Sequence, residues 1–476
     1  MSNLATSWQD RQGVDGFGVG TQADVDSLNK ALSAGNDINN PGASAGEGFP
    51  LRVESLESTL KHTTFRMEHI RLWKSIPKLQ AYNTVEEYNI VREYGSDEEA
   101  WIAEGGLPKS EDTTYERAYA KVKYLGVTRQ VTHVMSLIKP AHGNVIAQET
   151  VSGTMYLLRR LEKALFSGDS ALSDLQFDGF SKLIQSGAPA NVIDLRGAPL
   201  DEDVLQDAAL TVMDAPNYGV PSHLHVGPKV VADLAKSFFP KERYDLFKKD
   251  ANGNVGLNLG GFTSVAGDVK FEPNVFISDE GPLPVSATGD AALRPATHTN
   301  STGSTTPPNA ASQFGADDAG DYLYYVVASN NSGRAAPVQV DGALITVAAG
   351  DQVSFGVTPG AANSPAVLWW ELYRTAKDGT DARRIRKIPN VAGAGETTII
   401  DRNEDLPFTS EGFMFQQNIE NMSFKQLAPF VKIPLATVDT SIRFMMLLYG
   451  VPVLYTPQKN VLFKNIGRSA GFVGAP

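Results

Sequence analysis

The 476-residue chain contains no cysteine. That absence removes disulfides, thiolate metal sites and cysteine nucleophiles together, and with them a disulfide-stapled extracellular fold. No stretch approaches the roughly 18–20 consecutive apolar residues of a membrane span. The start, MSNLATSWQDRQGVDG, has neither a basic cluster nor an apolar run, so no secretory leader is expected. Positive charge is also short: 42 Lys and Arg stand against 54 Asp and Glu, a formal net charge of −12. A surface of that sign repels nucleic acid on average, which excludes sequence reading of DNA but not a container that must not stick to DNA inside it. What is present, 42% hydrophobic and 20% charged residues, fits a folded chain of roughly two to four domains.

Catalytic signatures are scarce as well. Gly42-Ala43-Ser44-Ala45-Gly46 satisfies G-x-S-x-G, but a nucleophile elbow needs a strand before it and a helix after it, and Asn40-Pro41 and Glu47-Gly48 supply neither. His223 and His225 lie two apart on a predicted strand and therefore share a face, as two metal ligands would. The spacing places no third ligand beside them, and a half-buried strand with two histidines is the simpler account. There is no H-E-x-x-H and no G-x-x-x-x-G-K-[ST]. Asp201-Glu202-Asp203 suits the start of a helix better than acid–base work. The expectation is a protein that is not an enzyme, with no catalytic residues, no metal and no cofactor.

Residues 1–50 are rich in Gly, Ser, Asn and Asp, with one short helical candidate near Asp24–Leu32, and read as an arm that other elements must hold. Further on, 85–94 and 117–131 alternate as strands, with Tyr88, Ile90 and Tyr94 on one face of the first. Their connection is far longer than a hairpin loop of 2–5 residues. Charge is segregated across it: Glu98 and Glu99 belong to an acidic run before the second strand, and Arg117, Lys121, Lys123 and Arg129 lie on that strand. Either facing charges pair along an exposed ribbon, or a ribbon without a core lies on another molecule. The spacing of Ala147, Val151, Met155, Leu158, Leu161 and Leu165 predicts a helix over 144–166, with Arg159, Arg160, Glu162 and Lys163 filling its other face and Gly168 ending it. Such a helix is a rod of roughly 33 Å.

Residues 190–280 read as a small α/β unit and 281–320, nearly all Gly, Pro, Ser, Thr, Ala and Asn, as a linker or exposed loop. Short strands at regular spacing follow, at 322–328, 343–347, 352–357, 368–374, 383–388 and 397–401, the pattern of an all-β sandwich. The phrases YLYYVVASNNSGRAAP and LWWELYRTAKDGTDARRIRKI resemble those of fibronectin type III and immunoglobulin-like domains. Strongly apolar strands return at 444–448, 451–455 and 461–463, so the sandwich is expected to be inserted into a larger domain.

Taken in order, AWIAEGGLPKSEDTTYERAYAKVKYLGVTRQVTHVMSL, LLRRLEKALFSGDSAL, FDGFSKLI, NVIDLRGAPLDEDVLQDAA, TTIIDRNEDLPFTSEGFMFQ and LAPFVKIPLATVDTSIRFMMLLYGVPVLYTPQKNVLFKNI resemble the major capsid proteins of tailed bacteriophages, closest to those of large myoviruses of Gram-positive hosts. The resemblance implies an α+β fold of the Hong Kong 97 type. It implies an N-terminal arm (1–54), a peripheral domain with a spine helix (55–81 and 121–189) and an extended loop over the neighbouring subunit (82–120). It further implies an axial domain with returning peripheral strands (190–284 and 411–476) and an inserted immunoglobulin-like domain (285–410). The implied partners are other copies of the chain, as hexamers and pentamers of an icosahedral head, together with portal, scaffold and decoration proteins. Packaged double-stranded DNA would be enclosed without sequence specificity, and no membrane is involved. The place implied is the virion, after synthesis in the host cytoplasm. Glu98, Glu99, Arg117, Lys121 and Lys123 are the expected inter-subunit contacts. An encapsulin-like shell and an adhesive or carbohydrate-binding surface protein are the alternatives.

Overall fold

A computed structural model describes residues 63–95, 101–138, 143–238, 260–278, 280–360, 365–391, 395–436 and 439–469. The arm, the helical candidate at Asp24–Leu32, the G-x-S-x-G string, Glu98 and Glu99 lie outside those residues. The architecture is mixed α/β.

One layer is a four-stranded sheet in the order Lys78–Gln80, Met422–Pro434, Ser441–Leu454, Lys123–Thr132. The helix Val145–Ser167 lies on it, 23 residues long. Leu157 packs with Phe444 and Met446, while Leu158, Leu161, Leu165 and Phe166 join a core with Phe424, Leu448 and Val453. The buried stripe departs from the expected one near the helix start. Val151 is 63% exposed, and the inward position there is Gly153, where a Cβ would sit 1.9 Å from Met446 Cε. A side chain at this position would require the flexible end of Met446 to move aside.

Glu162 was expected on the polar face and is instead fully buried. Its carboxylate accepts the backbone N–H groups of Arg71, Leu72 and Trp73 at 3.1, 2.8 and 2.9 Å and the side-chain amide of Asn274 at 2.6 Å. Those three N–H groups open the short helix Leu72–Ser75, so Glu162 serves as its cap from another element. Burial pushes the Glu162 carboxyl above its ordinary value, although each of the four donors pulls the other way.

A second layer is a six-stranded sheet in the order Val192–Asp194, Val461–Ile466, Ser410–Phe415, His223–Val226, Gly267–Pro273, Gly261–Ser264. The helices Glu202–Met213 and Pro228–Phe238 contribute Leu205, Ala208, Val212, Val230 and Leu234 to a core with Leu224, Phe271 and Phe463. Gly261–Ser264, within a Gly-rich tract, is strand. The strands expected separately at 444–448 and 451–455 form one strand of 14 residues. Gly450 sits inside it because a Cβ there would come within 2.3 Å of the Phe424 ring, so this glycine marks a close approach and not a turn.

Between Gly267–Pro273 and Ser410–Phe415, successive in the chain among the strands of this sheet, lie further strands that belong to other sheets. Gly333–Arg334, Tyr324–Asn330, Trp369–Thr375 and Ala382–Pro389 make one sheet, with Val338–Gln339 also paired to Tyr324–Asn330. Thr397–Asp401, Val353–Thr358 and Thr299–Thr305 make another. Tyr324, Val326, Phe355, Trp370, Leu372 and Ile399 form their shared core. Thr299–Thr305 corrects the linker expected over 281–320: it is a strand paired with Val353–Thr358, despite the loop-like composition. In this core Arg374 pairs with Asp401 at 2.6 Å, their side chains 1% and 2% exposed. The Tyr324 hydroxyl donates to the same carboxylate at 2.9 Å, and Asn403 accepts from Arg374 at 2.7 Å.

Candidate assembly surface

The strands Val85–Glu93 and Thr114–Lys121 pair only with each other, from Val85 opposite Lys121 to Glu93 opposite Thr114. The second strand was expected to run unbroken through 117–131. It starts earlier, at Thr114, and divides at Val122, which is 4% exposed. Up to Lys121 the chain pairs within the ribbon; from Lys123 it pairs with Ser441–Leu454. Val122 is thus the hinge point in sequence where the ribbon leaves the body.

At the root the ribbon is fastened. Glu86 accepts the N–H groups of Tyr82 and Asn83 at 2.8 and 3.0 Å and an ion pair from Lys425 at 3.2 Å. Partial burial raises the Glu86 pKa, but the two N–H groups and Lys425 outweigh it and hold the carboxyl below the usual range. Tyr88 meets Tyr455 edge-on at 5.0 Å. Farther out, strand pairing and exposed ion pairs link the ribbon's two strands. Arg117 pairs with Glu87 at 3.4 Å and Arg92 pairs with Glu116, all well exposed. Exposed pairs of this kind contribute at most about 1 kcal/mol each.

Against that weak internal bonding stands a large exposed apolar area. Tyr94, Trp101 and Leu107 are 88%, 90% and 93% exposed, and Tyr115 and Tyr119 are 70% and 66%. Tyr94, expected to share a face with Tyr88 and Ile90, follows the end of its strand and is 88% exposed. Apolar groups gathered on one projecting element mark an interaction surface more often than chance exposure does. Charge is the more conspicuous pattern in this stretch, but its signal for a contact surface is that Trp101, Ile102 and Leu107 interrupt a run of Gly and acidic residues.

Of the five expected contact residues, Glu98 and Glu99 lie outside the described residues, and the other three do not form one cluster. Arg117 lies mid-ribbon, in its pair with Glu87. Lys121 is the last, exposed residue of its strand and has no carboxylate at ion-pair distance among the described residues. Lys123 is not on the ribbon at all: it begins the next strand and reaches Asp174 of its own chain at 3.3 Å, its side chain 18% exposed. Arg129, expected on the same strand, pairs with Glu149 at 3.6 Å on the long helix.

The histidine pair resolves toward structure. The rings of His223 and His225 stack at 6.4 Å, so they do share a face. His225 is fully buried among Phe166 and Phe415, and its Nε2 lies 2.7 Å from the Gln417 amide nitrogen. Burial, helped by His223, Lys270 and Arg71, lowers its pKa to about 3, so the ring is neutral at ordinary pH. Among the described residues no group of three His, Asp or Glu side chains is arranged to hold a metal ion, and no helix there is long and apolar enough to cross a membrane.

No protein-family model matches the chain. Among curated proteins, the major capsid protein of Staphylococcus phage K is 24% identical over 432 residues, covering 87% of this chain and 90% of its own. The putative major capsid protein of Enterococcus phage phiEF24C is 25% identical over 438 residues with the same coverage. Both names denote a structural protein, not an enzyme. Solved structures similar to the chain are phage capsid and encapsulin shells. The capsid of the native GTA particle matches 91% of this chain and 100% of its own at TM-score 0.47 and 9% identity. The holo-SrpI encapsulin of Synechococcus elongatus matches 93% and 99% at TM-score 0.39 and 9% identity. Over most of its length, then, the chain is similar in sequence to the major capsid proteins of Staphylococcus and Enterococcus phages.

Proposed function

We propose that this chain is a major capsid protein that assembles with copies of itself into the closed head of a tailed phage. The carrying observation is the sequence similarity to phage capsid proteins, over 87% of this chain and 90% of theirs. The ribbon supports it physically, since a projecting element with exposed aromatic residues and little internal bonding gains its stability from neighbours, and a symmetric assembly provides them. Individual contacts of this kind are weak, but a closed lattice multiplies them.

In this proposal the fold is of the Hong Kong 97 type. The sheet under the long helix is the peripheral domain, the six-stranded sheet the axial domain, and 82–120 the extended loop. Residues 285–410 are an inserted immunoglobulin-like domain, consistent with sheets that close their own core between two strands of another sheet. Hexamers and pentamers enclose double-stranded DNA in the virion, with portal, scaffold and decoration proteins as further partners. Within it, Glu98, Glu99, Arg117 and Lys121 remain candidates for contacts between subunits, and Lys123, engaged with Asp174, is the weakest of the five.

Electron microscopy of the purified full-length chain tests the proposal. Closed icosahedral particles of genome-enclosing size are expected. Small compartments would point to an encapsulin-like shell, and a monodisperse soluble protein with no cage would overturn the assignment.

A further inference from the structure

We infer that the cavity where the inserted strands meet the six-stranded sheet binds a small aromatic anion. Its volume is about 710 Å³, within the range of small-molecule sites. It is lined by the inserted strands, by the start of the helix Pro228–Phe238 and by the two segments that join the inserted strands to the sheet. All of these belong to one chain, so the site is complete without a second copy and does not depend on the capsid-forming proposal.

The apolar walls come from Val275, Tyr322, Leu406, Phe408 and Ile466. Phe408 has φ 64°, a left-handed conformation that a bulky residue keeps only where its surroundings over-determine it. Here the Glu280 carboxylate accepts the Phe408 N–H, and the Arg383 guanidinium lies over the ring, 5.2 Å from its centre. Asn403, also left-handed at φ 63° and 1% exposed, is locked by Arg374 at 2.7 Å and Asp318 at 3.1 Å. The walls are thus fixed by contacts within the chain, and the cavity is formed before any ligand arrives.

Charge selects the ligand class. Around the cavity Arg374 pairs with Asp401 at 2.6 Å, Arg468 with Asp233 at 3.4 Å and Asp318 with Arg196 at 3.5 Å. Lys377 donates to the Asp317 carbonyl at 3.0 Å. Lys229 and Arg383 differ, since neither has a carboxylate at ion-pair distance among the described residues. Both act on Glu280 from farther away. Burial pushes the Glu280 carboxyl up, although the Phe408 N–H, Arg383, Lys229 and Arg384 pull it down. Two cations without a paired carboxylate, beside the rings of Phe408 and Tyr322, suit a carboxylate or sulfonate carried on an aromatic body.

Fluorescence titration of the full-length chain in mildly alkaline buffer tests this with two probes. Anilinonaphthalene sulfonate is an aromatic anion, and phenylnaphthylamine is its neutral counterpart. Lys229→Ala with Arg383→Ala should weaken the sulfonate about tenfold and change the neutral probe by less than about threefold. Glu280→Gln keeps an acceptor for the Phe408 N–H and removes a like charge from the site. It should tighten the sulfonate about threefold, a gain that a disturbed fold would not give. Equal binding of the sulfonate by the parent and the double variant would place it elsewhere and overturn the inference. So would an equal loss of both probes, which reduces the site to apolar burial, or a sulfonate affinity that Glu280→Gln leaves unchanged or lowers.

Discussion

The ribbon and the inserted strands are both antiparallel β structure, and they are stabilised in opposite ways. The inserted sheets enclose Tyr324, Phe355 and Trp370, each no more than 1% exposed, together with the buried pair of Arg374 and Asp401. The ribbon buries little beyond its root and shows Tyr94, Trp101, Leu107, Tyr115 and Tyr119 to solvent. Hydrogen-bonded pairing alone does not make a strand pair independently stable; a buried face does. The difference separates a part that is complete within one chain from a part whose burial has been left to another.

The comparison is broken most severely inside the inserted sheets. Arg374→Ala leaves Asp401 as an uncompensated buried charge, and equilibrium unfolding should show a loss of roughly 3–5 kcal/mol. A loss near zero would mean that this core does not depend on its ion pair. Next, Glu162→Ala strands three N–H groups and the Asn274 amide, at a cost of about 2–4 kcal/mol, whereas Glu162→Gln keeps an acceptor and should cost less. The same loss from both would place the role of Glu162 in its volume.

Acid sharpens the comparison further. His225 is held neutral with a pKa of about 3, against about 6.5 in the unfolded chain, so the unfolded state binds its proton first. Stability should be full above pH 6.5 and decline as pH falls toward 3, by about 2 kcal/mol at pH 5. His225→Phe should flatten that part of the profile; an unchanged slope would assign it to other groups. The smallest effect belongs to the ribbon. Arg117→Ala should change subunit unfolding by less than about 1 kcal/mol, and a larger loss would show that the ribbon stabilises its own chain.

Legibility followed the same division. Where burial obeys a regular period, the residues disclosed the element: 397–401 is a strand with the expected limits, and the helix expected over 144–166 runs Val145–Ser167. Contacts that join distant segments were hidden. Glu162 looks like any polar helix residue until Arg71, Leu72 and Trp73, some ninety positions earlier, bring their N–H groups to it. Gly450 looks like a break until Phe424 from the adjacent strand occupies the space of its absent side chain. Lys123 followed the ribbon in charge pattern, yet Val122 turns the chain into another sheet one residue earlier. Local pattern carries none of these, because each is fixed by which strand or helix arrives from elsewhere.

Hydrogen–deuterium exchange of the full-length chain, compared between free subunits and closed particles, tests the central claim most directly. Amides of residues 101–121 should exchange quickly in the subunit and become strongly protected in the particle, while those of 324–330 and 369–375 should be protected in both. Equal exchange of 101–121 in the two states, or full protection already in the free subunit, would contradict the account.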